Sequence, residues 1–369
     1  MPNIFKLIKP LLFILEPEQA HKAALIALQA GLAPRGTLSN KGLGQTIFGL
    51  SFDNPVGIAA GFDKNAEVAN EIIKTGFGFA EVGSVTPRPQ AGNPKPRLFR
   101  VEEHMGVINR MGFNNDGHDV VLARMRNQRT AKNSGQIGVN IGANKDSADF
   151  IVDYEKGIEK FYNVADYFVA NISSPNTPGL RALQSKDSLE KLVSRICQKR
   201  AEMQTLLGKY VPLILKIAPD LTDDDITDIA NIVTGSKLDG VIVSNTTIRR
   251  DFIEGHAHQA QAGGLSGKPI FEFSTHMLAR FYQATEGKIP LIGAGGISDG
   301  ASAYEKICAG ASLVQLYSCL IYTGTAIIDD IRQGILDGLK RDGFDTIEQA
   351  IGSRAEFWAE KTFNINEGA

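Results

Sequence analysis

The sequence predicts a (β/α)8 TIM barrel preceded by a small N-terminal helical hairpin. From about residue 52 onwards, short apolar runs alternate with longer segments of helical periodicity. Most of these runs lack alternating polar residues, as expected of parallel strands covered on both faces. Eight βα units of this kind indicate a closed barrel with its active site at the carboxyl ends of the strands, and a doubly wound open sheet is the alternative. The eight runs span residues 56–59, 79–82, 137–140, 167–170, 213–217, 240–243, 291–294 and 313–316.

The segments between and after these runs complete the predicted domain organisation. Helical periodicity is found at residues 66–75, 188–207, 223–234, 301–308 and 326–341. The intervals too long for a helix alone, which we expect to be lids or walls of a site, are 84–135, 173–187 and 246–271. The first of these contains several prolines and is predicted to be an extended, turn-rich excursion. We therefore expect a hairpin at 1–45, a catalytic barrel at 46–341 and a polar C-terminal tail at 342–369 without a motif.

The composition indicates a globular protein that binds small molecules. The chain has 369 residues, of which 43% are apolar and 22% charged. Its formal net charge of -2 argues against sequence-independent binding of nucleic acid, which requires clustered basic residues. The cysteines Cys197, Cys308 and Cys319 lie far apart and lack the spacing of metal ligands, so we expect neither a disulfide framework nor a metal site.

Two helices are predicted at the N-terminus. Apolar residues recur at helical spacing from Ile4 to Leu15, Pro17 ends this helix, and a second helix covers about residues 18–30. The longest apolar run is much shorter than the ~20 residues that span a bilayer. The hairpin therefore either covers the protein core or lies in a membrane surface, and periodicity leaves both possibilities open.

The ends of the eight predicted strands are polar or small. Small residues at 293–296 and the pair Tyr317-Ser318 follow the seventh and eighth strands, where backbone N–H groups of a barrel can surround a phosphate. Lys216 lies inside an apolar strand, where an amine is costly without a partner. It indicates either a Schiff base or a positive charge beside a cofactor ring. Lys64 follows the first strand and is a candidate partner for a substrate carboxylate.

The loop from Asn171 to Arg181 becomes polar immediately after the fourth apolar run. Its two prolines exclude a helix or an inner strand from Ser173 to Pro178. Amides and hydroxyls held on a rigid loop at a strand end indicate a binding site, although the same residue types also make ordinary turns.

Four motifs lie at residues 60–64, 109–115, 171–181 and 293–297. Together they resemble the dihydroorotate dehydrogenase family, in its class 2, membrane-associated and quinone-reducing form. The resemblance implies a barrel that binds FMN, oxidises dihydroorotate to orotate in pyrimidine synthesis, and passes the electrons to ubiquinone or menaquinone. The serine at 174, where the soluble class has cysteine, and the N-terminal hairpin both agree with class 2.

The resemblance also implies roles for individual residues. Ser174 is similar to the catalytic base of the family. The FMN-binding residues implied are Ala60, Gly61, Lys64, Ser84, Asn140, Asn171, Lys216, Ser244, Gly267, Gly296, Tyr317 and Ser318. The substrate-binding residues implied are Lys64, Asn109, Arg110, Met111, Gly112, Phe113, Asn171, Asn176, Asn245 and Thr246. His21 and Arg100 match residues that lie near the quinone.

The resemblance assigns the hairpin to a membrane surface and to the quinone entrance. Since no targeting sequence precedes the hairpin, we expect a peripheral protein on the cytoplasmic side of a bacterial inner membrane. Two alternatives remain at this point: a Schiff-base aldolase that uses Lys216, and a flavin-binding membrane protein without turnover.

Overall fold

The computed structural model describes residues 4–130, 135–177 and 179–363. The N-terminal elements are α1 (Ile4–Ile14), α2 (Pro17–Gln29), β1 (Gln45–Ile47) and β2 (Leu50–Phe52). The remaining strands are β3 (Val56–Asp63), β4 (Phe79–Val85), β5 (Leu98–Val101), β6 (Gly106–Asn109), β7 (Gln136–Ile141), β8 (Tyr167–Asn171), β9 (Leu213–Ile217), β10 (Gly240–Val243), β11 (Gly264–Gly267), β12 (Leu291–Ala294) and β13 (Ala311–Leu316). The remaining α-helices are α3 (Ala69–Lys74), α4 (Gly117–Thr130), α5 (Phe150–Phe161), α6 (Lys186–Leu207), α7 (Asp223–Gly235), α8 (Phe271–Ala284), α9 (Gly300–Cys308), α10 (Leu320–Thr323), α11 (Ile327–Asp342), α12 (Ile347–Ala350) and α13 (Ala355–Ala359).

Eight parallel strands form a closed barrel in the order β10-β12-β13-β3-β4-β7-β8-β9. The last strand in the chain, β13, pairs with the first, with Val314 opposite Val56, and β9 pairs with β10. This closure confirms the predicted (β/α)8 barrel and excludes the open sheet. Each of the eight apolar runs lies within one of these strands.

The amino-terminal half of the barrel lumen is filled with apolar side chains. The antiparallel pair β1–β2 places Phe52 against Phe79, with ring centroids 5.4 Å apart. Gly57 makes room for this packing, because a Cβ at that position would lie 2.2 Å from the Phe79 ring. The other buried members of the cluster are Tyr167, Val169, Ile214, Ile242, Ile292, Ala294 and Leu313. Any site inside the barrel must therefore lie toward the carboxyl ends of the strands.

Two of the long intervals contain regular structure that the sequence did not reveal. The interval 84–135 was expected to be an extended excursion, but it contains the barrel helix α4 and the strands β5 and β6. The interval 246–271 contributes β11, which pairs with β6 and completes a three-stranded antiparallel sheet. Only a few apolar side chains of α4 are buried, including Val121 and Met125, so its apolar stripe is narrow.

The predicted N-terminal helices are present as α1 and α2. Two arginines at β5 hold them against the three-stranded sheet: Arg97 forms a two-pronged ion pair with Glu18, and Arg100 donates to backbone carbonyls at the end of α1. Leu7, Leu11 and Ile14 of α1 are 67–81% exposed. Within the described ranges, no helix has the length and apolarity needed to cross a bilayer.

The segment after residue 341 packs onto the barrel in its described part. It includes α12 and α13, and Ile347 and Trp358 are buried. The His276 ring lies 3.0 Å from the Trp358 carbonyl, and the Phe271 and Trp358 rings pack edge to face. The division of the chain at residues 45 and 341 stays a prediction.

The contact between α9 and α11 provides a test of the packing. A Cβ on Gly334 would lie 2.6 Å from the Gly300 Cα, so Gly334→Ala must push the two helices apart. Because overpacking typically costs about 1–3 kcal/mol, we expect the urea midpoint measured by circular dichroism to fall accordingly. Gly235→Ala is the control, since a Cβ there meets nothing within 4 Å. Equal midpoints for the two variants would contradict this account of the contact.

Candidate active site

A cavity of about 300 Å³ lies at the carboxyl ends of the barrel strands and extends beneath the N-terminal hairpin. Its volume is at the lower end of those typical of small-molecule sites. The predicted site residues that line it are His21, Ala60, Gly61, Lys64, Ser84, Asn109, Met111, Gly112, Phe113, Asn171, Ser174, Asn176, Lys216, Ser244, Asn245, Thr246, Gly267, Gly296, Tyr317 and Ser318. The structure therefore brings together residues that lie up to about three hundred positions apart in the chain, as a barrel with its site at the strand ends requires.

The floor of the cavity is organised around the Glu81 carboxylate, which is fully buried in β4. Asn140 donates its amide N–H to Glu81 Oε1 at 2.7 Å, and Gln315 donates to Oε2 at 2.6 Å. These two bonds fix the orientation of both amides. With its N–H groups turned to the carboxylate, Asn140 accepts a hydrogen bond from Ser84 at its amide oxygen.

The same network continues upward into the loop that follows β8. Asn171 donates to Ser84 Oγ at 2.9 Å and accepts from Ser173 Oγ at 2.8 Å. Asn245 then donates to Ser173 Oγ at 3.0 Å. Because these amides and hydroxyls are hydrogen-bonded to one another across β4, β7, β8 and β10, the network holds the ends of the barrel strands rigidly.

Lys216 extends from β9 into this floor and is only 5% exposed. Burial lowers the pKa of its amine, and the charge of Glu81 offsets part of that effect. Among the residues that the structure describes, the Lys216 amine has no hydrogen-bond acceptor. A buried amine without a partner at the edge of a cavity requires an anionic or electron-rich ligand.

Sequence reasoning missed Glu81 and Gln315, although the signal that identified Lys216 was present for both. Each is a polar residue inside an apolar strand of the barrel. Because a polar side chain there must have a buried partner, Glu81 within the run 79–82 and Gln315 within the run 313–316 point to the lumen network.

The two serines of the loop after β8 have different surroundings. Ser173 is fully buried in the network, whereas Ser174 lines the cavity. The Ser174 Oγ accepts a hydrogen bond from the backbone N–H of Asn176 at 3.2 Å, and the Asn176 amide donates to the Asn109 carbonyl at 3.2 Å. Pro178, which was expected to stiffen this loop, lies outside the described residues.

Arg181 ties this loop to the neighbouring ones. Its guanidinium donates to the carbonyls of Ser173 and Thr246, both at 3.3 Å, and pairs with Asp220 at 3.1 Å. Asp220 also accepts from the Thr247 hydroxyl. The planar guanidinium thus joins the loops that follow β8, β9 and β10 at a single point.

The turn after β3 places Lys64 at the cavity. The buried Asp63 carboxylate accepts the backbone N–H groups of Glu67 and Val68, each at 2.8 Å. This turn delays α3, which begins at Ala69 and not at residue 66 as predicted. The Lys64 amine donates to the Gly61 carbonyl at 2.6 Å, and burial lowers its pKa to about 8.

Backbone donors are available where β12 and β13 end, on the part of the cavity wall next to β3. The N–H groups of Gly296, Ile297 and Ser318 find no acceptor within the described ranges, and all three residues line the cavity. Free backbone donors beside a glycine turn are typical of a phosphate site. In the same described ranges, no group of three or more His, Cys, Asp or Glu side chains is arranged to hold a metal ion.

Three of the predicted site residues do not line the cavity. Asn140 lies one layer below it, between Ser84 and Glu81. Arg110 turns away and donates to Gln261 at 2.9 Å, and to the carbonyls of Ala262 and Pro96. The Arg100 guanidinium caps the carboxyl end of α1, where it donates to the carbonyls of Leu12, Phe13 and Leu15.

The end of the cavity beneath the hairpin is mainly apolar. His21 of α2 packs edge to face on Phe62, with ring centroids 5.2 Å apart. Burial, followed by the positive charge of Lys64, lowers the pKa of His21 to about 3, so the ring is neutral at physiological pH. His21 is therefore not the surface group that a lone helical histidine suggests. Apolar side chains that line this end are Leu25, Phe62, Leu98, Val107 and Ile321.

Comparisons with known proteins agree with this geometry. A family model described as dihydroorotate dehydrogenase matches residues 42–339. A protein of Rhizobium rhizogenes named dihydroorotate dehydrogenase (quinone) is 51% identical over 351 residues, which cover 95% of this chain and 96% of that protein. A protein of Bartonella tribocorum with the same name is 51% identical over 348 residues, with coverage of 94% and 96%. The crystal structure of dihydroorotate dehydrogenase from Eimeria tenella in complex with ferulenol matches with a TM-score of 0.87 at 39% identity, covering 91% of this chain and 95% of that chain. The chain therefore belongs to the dihydroorotate dehydrogenase family.

Proposed function

We propose that this chain oxidises dihydroorotate to orotate, with FMN as the hydride acceptor and a quinone as the final electron acceptor. The observation that carries the proposal is a single cavity with two chemically different ends. One end presents amides and Ser174, which suit a pyrimidine, and the other presents apolar side chains beneath the hairpin, which suit a quinone. The names of the relatives in Rhizobium rhizogenes and Bartonella tribocorum support the same reading.

The family is flavin-dependent, and the residues between the two ends fit FMN. The Lys216 amine lacks a partner in the described residues and would lie beside the ring edge that gains negative charge on reduction. The free N–H groups of Gly296 and Ser318 would receive the phosphate. When bound, the flavin supplies the ring that accepts hydride.

Ser174 is the proposed base that takes the proton from C5 of dihydroorotate. An unaided serine is a weak base at neutral pH, so its oxygen needs help as it gains negative charge. The backbone N–H of Asn176, which points at Ser174 Oγ, stabilises that charge. Asn109, Asn171, Asn176 and Asn245 with Thr246 offer the donors and acceptors that the pyrimidine edge requires.

The role of Ser174 can be tested with Ser174→Ala. We expect the variant to keep its bound flavin but to lose flavin reduction by dihydroorotate by about 10²–10⁴-fold, because it lacks the proton acceptor. Anaerobic stopped-flow bleaching of the flavin measures the rate. Ser185→Ala, at an exposed serine beyond the loop, should match the wild type. Near-normal bleaching by Ser174→Ala would remove Ser174 from the role of base.

Lys64 is the proposed partner of the substrate carboxylate, and its lowered pKa makes this binding pH-dependent. Without bound substrate the Lys64 amine has a pKa of about 8, so the ammonium cation that attracts a carboxylate is lost as the pH rises through 8. We expect orotate affinity to be constant below about pH 7 and to weaken up to tenfold per pH unit above 8. Flavin difference spectra at pH 6–9.5 give the dissociation constant.

Lys64→Met tests whether Lys64 causes this pH dependence of orotate affinity. It should bind orotate about 10- to 100-fold more weakly at pH 7, because a charge-assisted hydrogen bond is lost. It should also show no weakening between pH 7 and 9.5. A wild-type profile that stays flat across pH 8 would exclude Lys64 as the carboxylate partner.

The hairpin is the proposed membrane contact and quinone entrance of a peripheral protein on the cytoplasmic side of a bacterial inner membrane. The exposed side chains of Leu7, Leu11 and Ile14 form an apolar surface on α1, and His21 of α2 lines the apolar end of the cavity. A neutral His21 ring would be a hydrogen-bond partner for a quinone oxygen, and the quinone would enter between the hairpin and the 97–107 segment. Arg100 of β5 lies at the edge of this entrance, where its guanidinium contacts the carboxyl end of α1.

A triple variant tests the hairpin: Leu7→Ser, Leu11→Ser and Ile14→Ser. Because the three side chains are already exposed, their loss should not unfold the protein, and flavin reduction by dihydroorotate should remain normal. Binding to phospholipid vesicles in a flotation assay should weaken by about 100-fold or more, together with reduction of a long-chain quinone. The control replaces the exposed Leu206, Val120 and Phe357 with serine. Unchanged vesicle binding by the α1 variant would refute the assignment.

The two alternative functions receive less support. A Schiff-base aldolase would also use a buried lysine such as Lys216, but the family match and the named relatives support only the oxidoreductase. Borohydride trapping of a carbonyl substrate on Lys216 would favour the aldolase. A non-catalytic flavin protein would bind dihydroorotate without bleaching its flavin.

A further inference from the structure

A second lysine is buried behind the glycine turn and has no role in the proposed reaction. Lys306 lies on α9 and is fully buried. Its amine donates to the hydroxyl of Ser274 on α8 at 2.7 Å and lies 5.5 Å from the centre of the Phe271 ring. No carboxylate in the described part of the chain forms an ion pair with Lys306, and burial holds the pKa of its amine well below the usual value.

Ser274 connects Lys306 to the glycine turn that lines the cavity. Because its oxygen accepts from Lys306, its hydroxyl hydrogen is free to donate to the Gly295 carbonyl at 2.9 Å or to the Phe271 carbonyl at 3.1 Å. The shorter of the two contacts links the Lys306 amine through Ser274 to Gly295. This series of hydrogen bonds ends at Gly295, and the next residue, Gly296, presents a free N–H to the cavity.

The Gly295–Gly296 turn is packed tightly against Ser274 and Phe271, so it cannot move unless these two residues move as well. Gly295 has a φ of +103°, and a Cβ there would lie 2.9 Å from the Ser274 side chain. Gly296 has a φ of +80°, and a Cβ there would lie 2.3 Å from the Phe271 Cα. The first turn of α8 is thus packed directly against both glycines. Fixing the Gly295 carbonyl on this side also fixes the peptide plane that carries the Gly296 N–H.

We propose that Lys306 is a positioning residue that acts through Ser274 to hold the Gly295–Gly296 turn in the form that receives the phosphate of FMN. This inference rests on the proposed function, since it concerns the phosphate end of the same cavity. A buried amine without a carboxylate is costly, and an anion bound on the other side of the turn offsets this cost. Lys306 therefore contributes the hydrogen bond that fixes the turn, and a phosphate bound on the other side of the turn favours the protonated form of its amine.

Binding of FMN and binding of riboflavin together distinguish an effect on the phosphate from an effect on the ring system. Riboflavin has the same ring as FMN but no phosphate, so a residue that serves only the phosphate affects FMN binding alone. Full-length protein freed of flavin is titrated with FMN and with riboflavin, and flavin fluorescence gives each dissociation constant. We expect Lys306→Met and Ser274→Ala each to weaken FMN binding by about tenfold or more and to change riboflavin binding less than about twofold.

Lys209→Met is the control, because Lys209 is an exposed lysine that donates to the Ala165 carbonyl, away from the turn. It should leave both dissociation constants unchanged. If Lys306→Met does not fold, Ser274→Ala decides the question, since it removes one hydroxyl and leaves the lysine in place.

The outcomes are distinct. Equal weakening of FMN and riboflavin would show a general structural role for Lys306 and overturn the proposal, as would unchanged FMN binding in both variants. A wild-type protein that binds riboflavin as tightly as FMN would instead contradict the proposed use of FMN. Loss of FMN binding alone, with flavin reduction by dihydroorotate restored at saturating FMN, is the expected result.

Discussion

The Glu81 carboxylate is the constraint on which the rest of the site depends. An amide side chain can be turned around without changing its shape, so its direction is set only by its partners. Two donors are drawn to the carboxylate, which turns the oxygen of Asn140 toward Ser84. Ser84 must then accept from Asn171, and Asn171 must accept from Ser173. Replacing the carboxylate by an amide would place an N–H donor against another donor, and the change in amide orientation would propagate toward the loop that follows β8.

Three buried or partly buried lysines surround the same cavity from different sides. In the described ranges, neither Lys64, Lys216 nor Lys306 forms an ion pair with a carboxylate, and burial lowers the pKa of each. Such groups weaken the fold in the absence of a ligand, because a charged amine loses its hydration. The proposed ligands supply what is missing: a carboxylate near Lys64, an electron-rich ring near Lys216 and a phosphate on the far side of the turn from Lys306. The stability of the barrel and the affinity for its ligands are therefore linked.

The sequence was sufficient to predict the barrel because its strands are covered on both faces and appear as continuous apolar runs. Most of the candidate site residues also line one cavity, since the carboxyl ends of parallel strands must meet. Prediction failed where structure depends on contacts between distant segments. The sheet of β5, β6 and β11 joins two intervals separated by more than a hundred residues, and α4 has too narrow an apolar stripe to be distinguished from its surroundings. The role of Arg181 was invisible for the same reason, because its three partners come from different loops.

Arg97 and Arg100 show how the entrance beneath the hairpin keeps its shape. Arg97 is 7% exposed and uses a two-pronged contact to hold Glu18 at the start of α2, while Arg100 meets the carbonyls at the end of α1, where the helix dipole is negative. Both contacts act on the connection between the helices. The apolar side chains of α1 are thereby left on the outside, and α2 is held with His21 over the cavity. A lysine has the charge but not the forked geometry for either task. These two polar contacts thus fix the orientation of the hairpin and leave the apolar side chains of α1 exposed.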